Sequence, residues 1–414
     1  MTEFTWNGSA AITAADIPEL TDGIWFCDNF NHSIAPNTLP SSVKTIVFGR
    51  MFNRALAENA LPNTIKSIKF GWKYDQSIGE NILPNSLEYI TFGHDFNRSI
   101  RENVLPKSLK SIIFGYDYNK RLGENVLPDS LEYIEFGGEF NKPIGENVLP
   151  NSLKSIKFGH DFNNPIGENV LPDCLESIVF GNGYTHLLGE NILPASLKSV
   201  VFGYCFNQPL WENVLPDHLE EIRFGWEFDQ PIGENVLPNS LKSIMFHEKF
   251  NQPIGENVLP NSLEYIGFGW GFDQYIGENI LPNSLKYIGI RNDPSRYMHA
   301  LYRLNHLEYL TIRTKIAVDI NIDSLPSSLK YLNFVNQDML MRLNSESQRM
   351  WFSVICWNMC DLLDITYPVL CNTLHPIHAG YEIIGTDIID GINYDKIINP
   401  AHYQPRSNAK SARK

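Results

Sequence analysis

A block of 22 residues recurs in this chain without insertion or deletion, and that fixed period decides most of what the chain can fold into. Its marker is Leu-Pro, at Leu39-Pro40, Leu61-Pro62, Leu83-Pro84 and onward to Leu281-Pro282. One unit degenerates to Arg303-Leu304, the mark returns in frame at Leu325-Pro326, and Ile17-Pro18 falls in phase upstream. Equal short units that each bury their apolar side only against their neighbours stack into a solenoid. The length of 414 residues therefore does not imply several globular domains.

Within the unit Leu127–Val148, Leu131, Ile134 and Phe136 give the spacing Leu-x-x-Ile-x-Phe. Its last part alternates as a half-buried strand does, which predicts one short parallel strand per coil. The apolar positions repeat as columns, Ile112, Ile134, Ile156 in one and Phe114, Phe136, Phe158 in the next. Strands about 4.8 Å apart turn such columns into continuous spines of core. Pro at the start, Gly after the Phe and a Pro-Ile-Gly-Glu-Asn stretch predict turns or short 3₁₀ segments on the other side. A second aromatic column, Phe52, Tyr74, Phe96 and onward, is followed by Asn or Asp except at Thr185. Recurrent amides at a bend are expected to satisfy backbone groups of neighbouring coils rather than a ligand.

Charge carries register. The residue after the strand's Leu alternates in sign over thirteen coils, Lys66, Glu88, Lys110 and so on to Lys330. Each charge should then meet opposite charges on both flanks, and a one-coil slip would set like charges face to face. Another column is wholly acidic, from Glu58 and Glu80 to Glu278, and such a run belongs in water or on backbone N–H groups, the alternative being a stripe met by a cation or a basic peptide.

Positions that vary between coils are those packing does not dictate. One such set lies on the outward side of the strands and includes Tyr89, Tyr133, Tyr265, Tyr287 and Tyr309. The other lies just past the Phe-Gly, at Trp72, His94, Tyr116, His160, Tyr204, Trp226 and Trp270. Aromatic groups with one polar edge are enriched at binding hot spots, so these residues are the expected contact surface for a protein or peptide; the alternative is that the rings pave the strand ends, covering the edge of the core and stacking on one another.

The strings Phe140–Ile144, Phe162–Ile166 and Phe250–Ile254, all Phe-Asn-x-Pro-Ile, with Phe206–Leu210 beside them, resemble the FNIP repeat family. The resemblance covers roughly residues 17 to 334. It implies a leucine-rich-repeat-like open β-solenoid or horseshoe with an interaction role, of the kind found in amoebae and their large DNA viruses, and it transfers no catalytic residue. Asn141 comes five residues after Phe136, whereas the leucine-rich-repeat ladder Asn comes three after the last strand residue, so a different bend is expected.

The organisation expected is an N-terminal cap over 1–16, the solenoid over 17–334, a mainly α-helical cap or small domain over 335–400, and a basic disordered tail over 401–414. Ser345-x-x-Gln348 ahead of Met350, Trp351 and Val354 reads as a capped helix. Cys356, Cys360, Cys371, His375 and His378 are the one grouping there with ligand chemistry, but their spacing matches no common zinc pattern, and buried thiols are the commoner reading.

The net charge of −14 argues against a nucleic-acid partner. Met1–Glu19 lacks the signature of a signal peptide, and no apolar stretch reaches the length of a spanning helix. Six irregularly spaced cysteines fit a reducing, intracellular setting, the host cytoplasm if the protein is viral. The function expected is a monomeric, non-enzymatic interaction scaffold without cofactor, the chain having no phosphate-binding Gly loop or nucleophile elbow. The alternatives are a substrate-recognition adaptor of a ubiquitin-ligase type complex, and a metal-dependent role of the C-terminal Cys/His grouping.

Overall fold

The computed structural model describes residues 3–8, 10–291, 294–314 and 325–336. The chain divides into two units, Met1–Cys356 and Trp357–Lys414, and every described residue belongs to the first. The expected helical cap over 335–400 (but for its first two residues), the disordered tail and the Cys356, Cys360, Cys371 and His375 grouping lie outside the described residues.

Sixteen described strands form one parallel sheet in strict sequence order. From Thr45–Val47 to Tyr265–Gly267 each is three residues long, its central Ile or Val buried and its flanking residues mostly half-exposed. Ile134 stands between Ile112 and Ile156 with no slip, so residues 22 apart are neighbours throughout the repeats. The sheet already begins at Glu3–Trp6, inside the stretch expected to serve as a cap, pairing with Gly23–Phe26. The side away from the sheet is made of turns rather than 3₁₀ segments in the regular coils. A short helix, Met298–Leu301, occurs where the Leu-Pro mark is lost, and it buries Met298, Ala300 and Leu301.

Two stacks of rings fill the core. Rings of the first column follow one another at 5.3 to 6.2 Å, and those of the second at 5.7 to 6.4 Å. Between the columns of one coil the rings stack at about 4 Å, as Phe136 and Phe140 do at 4.0 Å. Both columns are wider than the strand spacing of about 4.8 Å. The coils therefore fan apart with distance from the sheet, and the sheet occupies the inner side of the bend.

Three polar devices close the turns, of which only the first is expected from the sequence. The Asn column forms the expected ladder: the N–H of Asn97 donates to Asp75 Oδ1 at 3.0 Å, that of Asn119 to Asn97 Oδ1 at 3.1 Å, that of Asn141 to Asn119 at 3.1 Å. A serine one residue before the strand's Leu makes a second ladder, Ser130 Oγ donating to the Leu109 carbonyl and Ser152 Oγ to that of Leu131, each at 2.7 Å. The third is conformational. The Asn of each Glu-Asn pair from Asn59 to Asn257, such as Asn125 and Asn147, has φ near 60°. Asn is the side chain that tolerates this left-handed turn best after Gly, which explains its recurrence there.

Both ladders are interrupted in the coil of Thr185, where Cys174 also replaces the serine. Thr185 accepts no bond from the Asn207 N–H, its own hydroxyl pointing back to Asn163 at 3.2 Å. Thr185→Asn should restore the rung and stabilise the protein by about 1 kcal/mol. Hydrogen exchange of residues 185–207 reads this directly, and unchanged or faster exchange there would contradict the ladder's role.

The alternating charges pair mostly in one direction. Lys154 meets Glu132 at 3.2 Å, Lys198 meets Glu176 at 2.8 Å and Lys286 meets Glu264 at 2.8 Å, each lysine reaching back one coil. Glu88 is held from both flanks, by Lys66 at 2.7 Å and Lys110 at 3.0 Å. Their hydrogen bonds keep its carboxyl below the usual range, that of Lys66 contributing most. A depressed native pKa stabilises the fold above the unfolded value, about 4.3 for glutamate, and the benefit disappears as pH falls through the native value. Glu88→Gln should thus lower the stability at pH 7 by the small amount an exposed pair contributes, about 0.5–1 kcal/mol, and the gap should narrow as pH falls below the unfolded value and close once it is below the native one. A gap that does not narrow on acidification would assign the effect to packing instead.

Candidate functional site

The inner face of the sheet and the ledge at its strand ends carry the variable residues, because the first and last side chains of every three-residue strand point away from the core. On the sheet, Tyr89, Tyr133, Tyr265 and Tyr309 are half-buried and Tyr287 is buried. Tyr133 donates its hydroxyl proton to Glu135 Oε2 at 2.8 Å, and burial and then the Glu135 charge push its phenol up. Tyr309 stacks on Tyr331 at 4.7 Å, whereas Tyr265 and Tyr287 meet at a tilt, 6.4 Å apart.

The ledge does not form one continuous column. Trp72, His94 and Tyr116 stack in sequence at 4.2 and 4.9 Å, and the Arg50 guanidinium lies over Trp72 at 5.3 Å. The stack ends where Tyr116 spreads across the bare backbone of Gly138. His160 stands apart from it and bonds to Asp161 at 2.7 Å. A second patch holds Tyr204 against Trp226 at 5.7 Å. Trp270 is separated from it by Glu248, whose carboxylate accepts the Trp270 backbone N–H at 2.8 Å. Trp72, Tyr116, Tyr204 and Trp226 remain 39 to 45 % exposed, a large fraction for rings that already stack on one another.

Two groups went unrecognised in the sequence. The first is ionic: Glu221 pairs with Arg223 at 2.9 Å, and Glu248 with Arg291 at 2.9 Å across an intervening coil, with little exposure of any of the four. His247 beside them is held below its ordinary pKa, by burial first and the Arg291 charge second. The signal for His247 and the Glu248–Arg291 pair was the loss of the Gly after the strand at positions 247 and 291. The second lies in the first patch. His94 Nδ1 is 3.0 Å from Asp95 Oδ1 and 3.5 Å from Asp117 Oδ1. Asp95 and Asp117 are 22 residues apart, so the repeat itself implied their adjacency. Burial raises the Asp95 pKa, but hydrogen bonds from Lys73 and His94 outweigh it and leave the carboxyl below the usual range.

On the far side of the coil the eleven glutamates from Glu58 to Glu278 are all exposed. Among the described residues no helix is long and apolar enough to cross a membrane.

The family model described as FNIP Repeat matches residues 30–73, 74–117, 118–161, 162–205, 206–249 and 250–293, two coils at a time. No curated protein sequence matches the chain. Among solved structures, CroV588, a circular leucine-rich-repeat protein of a giant virus, is similar with 39 % identity and a TM-score of 0.60. The match covers 75 % of this chain and 52 % of CroV588, so the chain spans about half the length of that relative. YopM from Yersinia enterocolitica WA-314 is similar at 18 % identity with a TM-score of 0.39, over 81 % of this chain and 79 % of its own.

Proposed function

The chain belongs to the FNIP repeat family, and on that premise we propose that it is a non-enzymatic interaction scaffold that holds a protein or peptide along the inner sheet face and the strand-end ledge. The observation that carries this reading is the division of labour between columns. Core positions repeat almost unchanged from coil to coil, while the exposed positions on one side vary and gather large aromatic rings at 39 to 45 % exposure. Packing alone does not call for exposed Trp and Tyr, whereas a desolvated interface does. The parallel inner face supplies an extended trough for such a partner.

Chemistry is disfavoured by the same regularity. A repeated side chain presents the same group every coil, whereas catalysis needs an acid, a base and a nucleophile in one asymmetric arrangement. The broken ledge adds a requirement on the partner: it must engage two aromatic patches, Trp72–Tyr116 and Tyr204–Trp226, four coils and roughly 20 Å apart at their nearest rings.

The test is affinity capture from host-cell extract with the full chain, quantified by mass spectrometry. Tyr204→Ala with Trp226→Ala should weaken the specific partner by about 30-fold or more, the loss of a hot spot of about 2 kcal/mol. Trp211→Ala, which removes a ring that is 59 % exposed on the opposite side, should leave capture intact. Equal capture by both variants would move the interaction to another surface.

A further inference from the structure

We propose that His94, Asp95 and Asp117 form a binding site for a divalent first-row transition-metal ion of the Zn2+ type. One ligand atom from each of the three lies within 4.8 Å of the others. The two measured separations from the imidazole nitrogen, 3.0 and 3.5 Å, bracket the distance between ligands around a tetrahedral ion with bonds of about 2.0–2.1 Å, which is about 3.3 Å. Filling the site requires the metal to replace the Nδ1 proton, with the histidine remaining neutral and the two carboxylates balancing the charge. One imidazole with two carboxylates suits Zn2+ or its neighbours better than Mg2+ or Ca2+, which take oxygen ligands alone.

The surroundings hold this geometry in place. The imidazole is clamped between Trp72 at 4.2 Å and Tyr116 at 4.9 Å, both nearly parallel to it, which fixes the ring plane with Nδ1 toward the carboxylates. Lys73 holds the other oxygen of Asp95, Oδ2, at 2.8 Å and leaves Oδ1 directed at the histidine. Such outer partners set ligand orientation in known metal centres. The coordination is open on the ledge side, where a water or a group from the bound partner completes it.

The repeat supplies an internal contrast. His160 and Asp161 stand in the same columns and bond at 2.7 Å, yet Gly183 occupies the place of Asp117 and neither neighbouring coil offers a ring to clamp the imidazole. A His-Asp pair therefore recurs as a surface hydrogen bond, and the third ligand and the clamp distinguish the His94 site.

Titration of chelator-treated full-length protein with Zn2+ alone tests the proposal, with Co2+ absorption reporting the ligand geometry. The wild type should bind one equivalent that His94→Gln and Asp117→Asn each weaken at least about 10-fold while His160→Gln does not. Circular dichroism confirms that each variant is folded, and Asp117→Asn, which changes neither shape nor volume, serves if His94→Gln is not. Absence of saturable Zn2+ binding, or a Zn2+ stoichiometry that neither His94→Gln nor Asp117→Asn lowers, overturns the site, and the thiolate band of the Co2+ form identifies any further equivalent held by cysteines. Partner capture measured with and without chelator keeps this result separate from the scaffold reading.

Discussion

Gly137→Ala is expected to destabilise the protein by about 2–4 kcal/mol and to loosen the coils on either side of it. A Cβ at Gly137 would overlap the carbonyl oxygen of Gly115 in the preceding coil, and the same holds at each Gly that follows the strand's Phe. The constraint is one of space, because the strand ends of successive coils approach closely here. At His247, where a side chain stands in place of this glycine, the inter-coil bond from Lys249 to Trp226 is 3.1 Å, against 2.9 Å from Glu139 to Tyr116. The cost at Gly137 is therefore overpacking strain together with weakened bonding between the coils. Hydrogen exchange should quicken over residues 115–158 and stay unchanged in distant coils, since each coil contacts only its neighbours. Exchange rates equal to wild type throughout would show that the close approach does not limit stability.

The fold was legible because its signal repeats. Thirteen charges and twelve Phe positions at one spacing leave no other register, and the strands fall on the Leu-x-x-Ile-x-Phe motif as expected. The Asn ladder was legible for the same reason. The left-handed Asn of the Glu-Asn pair was not legible, since an Asn inside a turn-forming stretch carries no mark of its own backbone conformation.

The site was only half legible, and the cause is physical. Column logic finds residues that are alike every 22 positions, so it gathered seven ledge residues into one surface. The structure splits them, because a missing side chain at Gly138 and a charged one at Glu248 are single events that no period reports. The His94, Asp95 and Asp117 group and the Glu248–Arg291 pair arise in the same way, from side chains that differ between adjacent coils. In a periodic scaffold, departures from the repeat are where specificity resides. Reading them requires comparing neighbours rather than averaging them.

The second large effect concerns the aromatic spines. Phe136→Ala and Phe140→Ala should each cost about 3–5 kcal/mol, the range for deleting a buried phenyl ring. Both rings are almost fully buried, and each touches three others: its partner at 4.0 Å and one ring in the coil on either side. Because the two stack directly, removing one already forfeits the other's best contact, so the double variant should cost less than the sum, by about 0.5–1.5 kcal/mol. Deleting Phe136 with Phe224, four coils away, should give additive losses, because those rings share no neighbour. The cavity in mid-array also interrupts the spine, and a linear array then melts in two stages, because cooperativity passes only through adjacent coils. Urea unfolding followed by circular dichroism distinguishes the cases. A single transition with fully additive losses for Phe136 and Phe140 would mean that the rings fill space without acting as one continuous stack.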